Sequence, residues 1–247
     1  VLLDYEDVRE AFRNDALFST FQTPVPPIEP YPVMQPQGVD PPEHKKFRSL
    51  LAPLFTPAAV AKMHAELRRR TTALLDAFAD RGSCEFGRDF ASVLPAGMFL
   101  YLMGMPEDRL PEFVQLSEVF MRSNDEAERA QNIQQIYAVI GEYLDWRATR
   151  PGDDLGSVLV QARDENGQPL DRQDVLNCGF LLFVAGLDTV TSTMTFIWRH
   201  LARNERVRHE LITMLDERER LSTAVEELLR VHSVANIYRR VQKDMVY

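Results

Sequence analysis

FLLFVAGLDTVTSTMT, residues 180–195, is the stretch on which the reading of this 247-residue chain turns. Apolar residues at Leu176, Phe180, Phe183, Leu187, Val190, Met194, Ile197 and Leu201 recur at alternating spacings of four and three, which is one continuous helical stripe. Residues 176–201 then span about 39 Å at ~1.5 Å per residue. Leu181, Leu182, Val184 and Ala185 make the other faces apolar too, so the helix is expected to run through the core. Set into it is a step of small, acidic and hydroxyl residues at Ala185, Gly186, Leu187, Asp188 and Thr189. A buried polar group without a partner costs roughly 1–3 kcal/mol, so this step needs a compensating role. Gly186 removes bulk, and Thr189 is placed to turn its hydroxyl onto the Ala185 carbonyl one turn back, loosening the helix. A small groove at Ala185 and Gly186 is the expected result. Two readings fit: a functional niche, or an Asp188 paired with a core arginine beside a Thr189 that only back-bonds.

Composition bounds the function. Acidic residues outnumber basic ones, 37 to 28, for a net charge of -9, which argues against a general nucleic-acid binder. At 45% hydrophobic, the chain can bury one large core. Cys84 and Cys178 stand in unrelated contexts without metal-ligand spacing, so neither a disulfide framework nor a metal site is expected, and a reducing, cytoplasmic setting fits. The longest uninterrupted apolar run, Cys178–Leu187, falls short of the ~20 residues that span a bilayer, so no membrane segment is expected. The chain opens on Val1 in mid-pattern and reads as a fragment.

Outward from the long helix, helical signals dominate and no internal repeat is found. Val1–Leu3 resembles a strand end, and Asp4 is a cap for a short helix bearing Val8, Ala11 and Phe12. A proline-rich loop follows, with apolar Tyr31, Val33 and Met34 suited to covering a site. Asp40, Pro41 and Glu43 spell an N-cap, a first helical position and a capping box. Thr56 and Pro57 start a helix with its stripe running to Asp80. Further helices are expected near 95–103, 111–122 and 126–150, with a turn cluster at 164–169 before the long helix and two more helices at 207–215 and 222–231.

Two side-chain constellations carry chemistry. His44 and Arg48 stand four apart on one helical face and form a cationic clamp suited to a carboxylate or phosphate, unless they are simply a surface pair. Glu227 and Arg230 form an ExxR on a helix, followed by Arg239 entering an extended segment. ExxR alone is uninformative, since the same spacing at Glu6/Arg9, Glu66/Arg69, Glu126/Arg129, Glu205/Arg208 and Glu217/Arg220 is explained by surface pairing. Only the copy at Glu227 follows the polar-grooved helix at a distance of one hairpin.

In this order, DPPEHKKFRSLLAPLF, AGLDTVTS and EELLR with the later Arg239 resemble three helical segments of the cytochrome P450 haem-thiolate monooxygenases, in particular the soluble bacterial class and its camphor-hydroxylase branch. The resemblance implies a mainly α fold with minor β, a single domain over residues 1–247 that forms the N-terminal and central part of that fold. It implies insertion of one oxygen atom of O2 into a small, mainly apolar organic substrate, with electrons from a ferredoxin-type carrier. Residue by residue, it implies that His44, Arg48 and Arg239 bind the haem propionates, and that Asp188 and Thr189 govern proton delivery to the oxygen being activated. Ala185 and Gly186 would shape the groove beside the haem, and Leu181, Val184, Ala185, Ala235 and Ile237 would line the substrate pocket. Glu227 and Arg230 would be structural. Lys45, Lys46 and Arg48 are expected on the docking face for an acidic carrier.

The family's cysteine ligand lies in a loop downstream of the ExxR helix, and this chain stops at Tyr247 before any such loop; Cys84 and Cys178 lack its context. The axial ligand is therefore not expected among these residues. His64, His200, His209 and His232 have ordinary helical contexts and are expected in surface or packing roles. Two rivals remain: a non-catalytic helical ligand-binding protein with the proline-rich loop as a lid, and a truncated chain unable to catalyse.

Overall fold

The computed structural model describes residues 4–21, 32–235 and 237–244. Along the chain come α1 (Tyr5–Arg13), β1 (Phe18–Ser19), α2 (Glu43–Leu51), α3 (Pro57–Lys62), α4 (His64–Ala79) and α5 (Val93–Met103). There follow α6 (Leu110–Arg122), α7 (Glu126–Thr149), α8 (Leu155–Gln161), α9 (Arg172–Arg203), α10 (Glu205–Thr213), α11 (Arg218–Val231) and β2 (Arg240–Val241). β1 and β2 pair antiparallel, with Phe18 opposite Val241 and Ser19 opposite Arg240. This is the mainly α fold with minor β that the sequence predicts, in a single helical domain. Val1–Leu3, Tyr31 and most of the proline-rich loop lie outside the described residues.

The helices begin where the chain supplies caps. Asp4 accepts from the Glu6 N–H at 2.9 Å, Thr56 from Ala59 at 3.3 Å, Asp125 from Ala127 at 2.8 Å, and Asp171 from Gln173 at 2.7 Å. Gly104 closes α5 in the left-handed region at φ +75°, a conformation that costs glycine nothing. Two expectations are corrected. The helix continuing from Thr56 breaks at Met63 into α3 and α4. Asp40 does not cap α2, which starts at Glu43 after Pro42 without a side-chain cap. Its carboxylate instead accepts hydrogen bonds from the Ser19 hydroxyl, the Thr20 N–H at 2.7 Å and the Thr20 hydroxyl at 2.9 Å, and only its carbonyl serves α2.

The long helix α9 is the axis of the fold, packing against α5, α6, α7, α8, α10 and α11. Its first half is buried, with Phe180 and Phe183 fully enclosed. Phe183 meets Phe99 edge-on at 5.8 Å and Phe113 at 5.7 Å, and Phe180 stacks on Tyr137 at 4.8 Å. At the α7/α9 crossing a Cβ on Gly179 would fall 2.8 Å from Ile140 Cγ2, and one on Gly141 would fall 3.3 Å from Leu176 Cδ2. The two helices thus fit knob to notch in both directions. By length and composition α9 is long and apolar enough to cross a membrane. Residues 175–181 are enclosed by neighbouring helices, so this part of α9 is interior to the fold.

The burial does not continue. Val190, Phe196 and Trp198 are exposed, as are Leu229 and Val231 on α11. The expectation of a core helix therefore holds for the first half of α9 and only in part for the second, where Val190 and Phe196 stay exposed while Trp198 meets Phe86 at 5.6 Å and Leu201 is buried.

A second centre of rigidity was not visible in the sequence. Helix α8 lies between the expected elements, and at its start Arg147, Tyr143 and Asp154 interlock. Arg147 pairs with Asp154 at 2.8 Å and donates to the Gly104 carbonyl at 3.0 Å and the Tyr143 hydroxyl at 2.5 Å. The Tyr143 hydroxyl in turn donates to the Met103 carbonyl. Burial is the main reason that the Tyr143 phenol is raised above its ordinary value. The cluster joins the ends of α5, α7 and α8.

Candidate active site on helix α9

Thr189 Oγ1 donates to the Ala185 carbonyl at 2.6 Å, the back-bond expected from the sequence. The same motif recurs at Thr191, which donates to Leu187 at 2.9 Å, and at Thr195, which donates to Thr191 at 2.8 Å. Three hydroxyls, those of Thr189, Thr191 and Thr195, on carbonyls of the previous turn soften α9 just after its buried half. Ala185 is exposed and Thr189 half-buried, so the step faces an opening rather than packed side chains. Gly186 is half-buried; a Cβ there would meet Phe99 at 4.0 Å, ordinary contact, so close packing does not demand a glycine here.

Asp188 is half-buried and receives the Ser192 hydroxyl at 3.4 Å. It shares a narrow cleft with Ser92, Glu118 and Arg122, but Arg122 forms no ion pair with it. The structural alternative, an Asp188 neutralised by a core arginine, thus has no partner among the described residues. Thr191 is a residue that the sequence reading missed. Its buried hydroxyl also reaches the Ala91 carbonyl at 3.0 Å and so ties the π-helical turn Gly87–Ala91 to α9 two residues beyond Thr189. The only signal for it was the density of hydroxyls in TVTST.

The cationic residues come partly together. Among the described residues no hydrogen bond or ion pair engages the side chain of His44 or Arg48. Arg239 lies over the Phe12 ring at 4.7 Å, and its charge helps hold the Asp40 carboxyl below the usual carboxylate range. Burial lowers Arg239 itself from the ordinary guanidinium value, with Asp40 partly offsetting it. Asp40 also accepts the His44 N–H at 3.0 Å through its carbonyl. The β1–β2 ribbon therefore delivers Arg239 to the N-terminal end of the helix that bears His44 and Arg48. The basic side chains of His44 and Arg48, without a counter-charge among the described residues, suit the carboxylate arms of a haem, whereas Arg239 already faces Asp40.

Neither cysteine suits its iron. Burial is the main cause pushing the Cys178 thiol up to about 12, and the group sits fully enclosed in α9. Cys84 is exposed in the loop after α4. Among the described residues no group of three or more His, Cys, Asp or Glu side chains could hold a metal ion.

Other expected residues are not gathered. Leu181 is buried and Val184 packs against the core, whereas Ala235 and Ile237 are exposed, so the four do not line one enclosed pocket. Glu227 and Arg230 form a two-pronged pair at 2.7 and 2.8 Å on an exposed face of α11. Glu66/Arg69 forms the same two-pronged pair, while Glu6/Arg9 and Glu217/Arg220 pair through a single guanidinium nitrogen, so local geometry does not single out the copy at Glu227. Lys46 is tied to Asp174 at 3.5 Å rather than free on a docking face. His200 and His232 pack ring against ring at 4.9 Å, in keeping with a packing role.

The family model for cytochrome P450 matches residues 105–247. Among curated proteins, a probable cytochrome P450 127A1 of Sinorhizobium fredii is 36% identical over 89% of this chain and 52% of its own length. The mycinamicin IV hydroxylase/epoxidase of Micromonospora griseorubida is 33% identical over 78% of the chain and 48% of its own length. The chain spans about half the length of these curated relatives. Among solved structures, the Bacillus subtilis polyketide-synthase P450 PksS superposes with a TM-score of 0.79 at 26% identity, covering 93% of this chain and 58% of that one. With the family model matching more than half of the chain and relatives of this identity covering most of it, the chain belongs to the cytochrome P450 family.

Proposed function

We propose that the protein of which this chain is part is a haem-dependent monooxygenase that inserts one oxygen atom of O2 into a small, mainly apolar organic molecule. Relatives named for hydroxylating mycinamicin IV, 6-deoxyerythronolide B and vitamin D(3) support that substrate class. Small terpenoid-like molecules are the proposed subset, on the AGLDTV stretch. The observation that carries the reading is the opened step of α9, where Thr189 bonds back to Ala185 beside an Asp188 that no cation among the described residues neutralises.

His44, Arg48 and Arg239 would hold the haem propionates, and the iron would take its thiolate from residues beyond these 247. When bound, haem supplies the centre at which O2 is reduced. The chain's own part is to manage protons. Thr189 donates its hydrogen to Ala185, which leaves the oxygen lone pairs free to accept a hydrogen bond and so to hold a protonated partner in the groove. Asp188, held by Ser192, is a carboxylate able to load that proton. The exposed Ala185 leaves room beside the hydroxyl. Glu227 and Arg230 would be structural, and a ferredoxin-type carrier in a cytoplasmic setting is the proposed electron source.

The full-length protein tests this in two steps. Reduced and treated with carbon monoxide, it should give the difference spectrum of a thiolate-ligated haem; a protein that never takes up haem would favour a non-catalytic ligand binder. Thr189→Ala should keep haem and substrate binding while diverting electrons to peroxide. Product formation that remains tightly coupled to electron input would refute the proton role.

A further inference from the structure

Between α6 and α7, away from the step on α9, lies a cleft of about 490 Å³. Its floor is apolar, from Leu116, Val119 and Val139, and its walls carry the amides of Gln115, Gln131, Asn132 and Gln135. Asn132 is 3% exposed, and its Oδ1 is buried without a hydrogen-bond partner. None of the three glutamine side chains is hydrogen-bonded to a described residue. The carboxylates at the rim are already engaged: Glu112 by Arg109 at 2.8 and 3.1 Å, and Glu128 by the Ser123 hydroxyl.

A buried amide oxygen without a donor costs stability, and a fold that keeps one beside a roomy cleft keeps an unfilled binding contact. The available polar groups are all primary amides, each presenting a donor and an acceptor side by side. Such pairs match neighbouring hydroxyls, which also donate and accept, and the aliphatic floor matches the C–H face of a ring. A cation has no free carboxylate here, and an anion meets Glu112 and Glu128. We propose that the α6–α7 cleft binds a neutral polyhydroxylated ring of the sugar class, with Asn132 as the central contact, separately from the chemistry on α9.

The test uses the full-length, haem-loaded protein and methyl glucoside, followed by backbone amide NMR, with its fully O-methylated analogue as the control lacking hydroxyl donors. The glucoside should produce saturable shifts confined to α6 and α7, and the analogue should not. Asn132→Leu, which also removes the orphaned amide, should fold and bind about tenfold more weakly, the loss expected for one hydrogen bond. Gln135→Ala, at an exposed position, should weaken binding several-fold and covers the case in which the first variant does not fold. Absence of saturable shifts, equal response to the O-methylated analogue, or unchanged binding in both variants would overturn the proposal.

Discussion

Removing Asp154 should cost this fold about 3 kcal/mol, and the structure says how that total divides. Asp154 Oδ1 caps α8, accepting from the Ser157 N–H at 2.9 Å and its hydroxyl at 3.0 Å, while Oδ2 faces Arg147 at 2.8 Å. Loss of a helix cap costs about 1 kcal/mol. Breaking a buried ion pair costs about 3–5 kcal/mol because the surviving charge is stranded. Here the survivor keeps partners: Arg147 still donates to the carbonyls of Gly104 and Arg150 and lies over the Trp146 ring at 4.6 Å, so the cost falls below that range, to about 2 kcal/mol. Asp154→Asn keeps a capping oxygen but removes the charge, and should lose about 2 kcal/mol; Asp154→Ala should lose about 3. Urea unfolding of the full-length protein at neutral pH, with the slope unchanged between variants, reads both values. Equal losses for the two variants, or losses below about 0.5 kcal/mol, would refute the assignment of separate capping and charge roles.

Three further outcomes are expected. For Asp40, burial acts to raise the carboxyl, and the hydrogen bonds from Ser19 and Thr20 with the charge of Arg239 outweigh it, so the folded value lies below the reference of 3.8. Its contribution is therefore complete above the unfolded value and is lost as pH falls through the folded one; Asp40→Asn should remove that part of the acid transition in a pH titration of stability. Cys178, pushed to about 12 and enclosed, should resist iodoacetamide near pH ~8 while exposed Cys84 reacts, and comparable labelling of both by mass spectrometry would contradict the burial described. Gly179→Val should lower stability by about 1–3 kcal/mol in thermal unfolding, because the new side chain meets Ile140 where a Cβ already falls at 2.8 Å.

The helices were legible because their signals are local. The four-three stripe from Leu176 to Leu201 gave α9 its existence, and the caps at Asp4 and Thr56 function as written. What failed depended on distant partners. Asp40 has every local mark of a cap, yet Ser19 and Thr20, some twenty residues earlier, hold its carboxylate. The half-burial of α9 follows from which helices pack on it, and no periodicity reports that. Short α8 lacks a long stripe and is anchored by Arg147 and Asp154, a pair seen only in three dimensions. At the site, the Thr189 back-bond is intrinsic to its spacing and was foreseen, while the Thr191 link to Ala91 crosses a hundred residues and was not. The gathering of Arg239 toward α2 rests on the β1–β2 pairing, two residues a side, too brief for any alternation to show.

The reciprocal notches at Gly141 and Gly179 have a mechanical meaning for whatever motion the protein makes. A crossing with a knob on one rod and a socket on the other can slide once the knob lifts; with Ile140 seated in α9 and Leu176 seated in α7, sliding requires both to disengage together. The joint therefore resists shear while tolerating a small rocking about the crossing point. Breathing of the helices above α9 should thus occur as a pivot around this dovetail, with the hydroxyl-rich turn near Thr189 keeping a fixed distance from it.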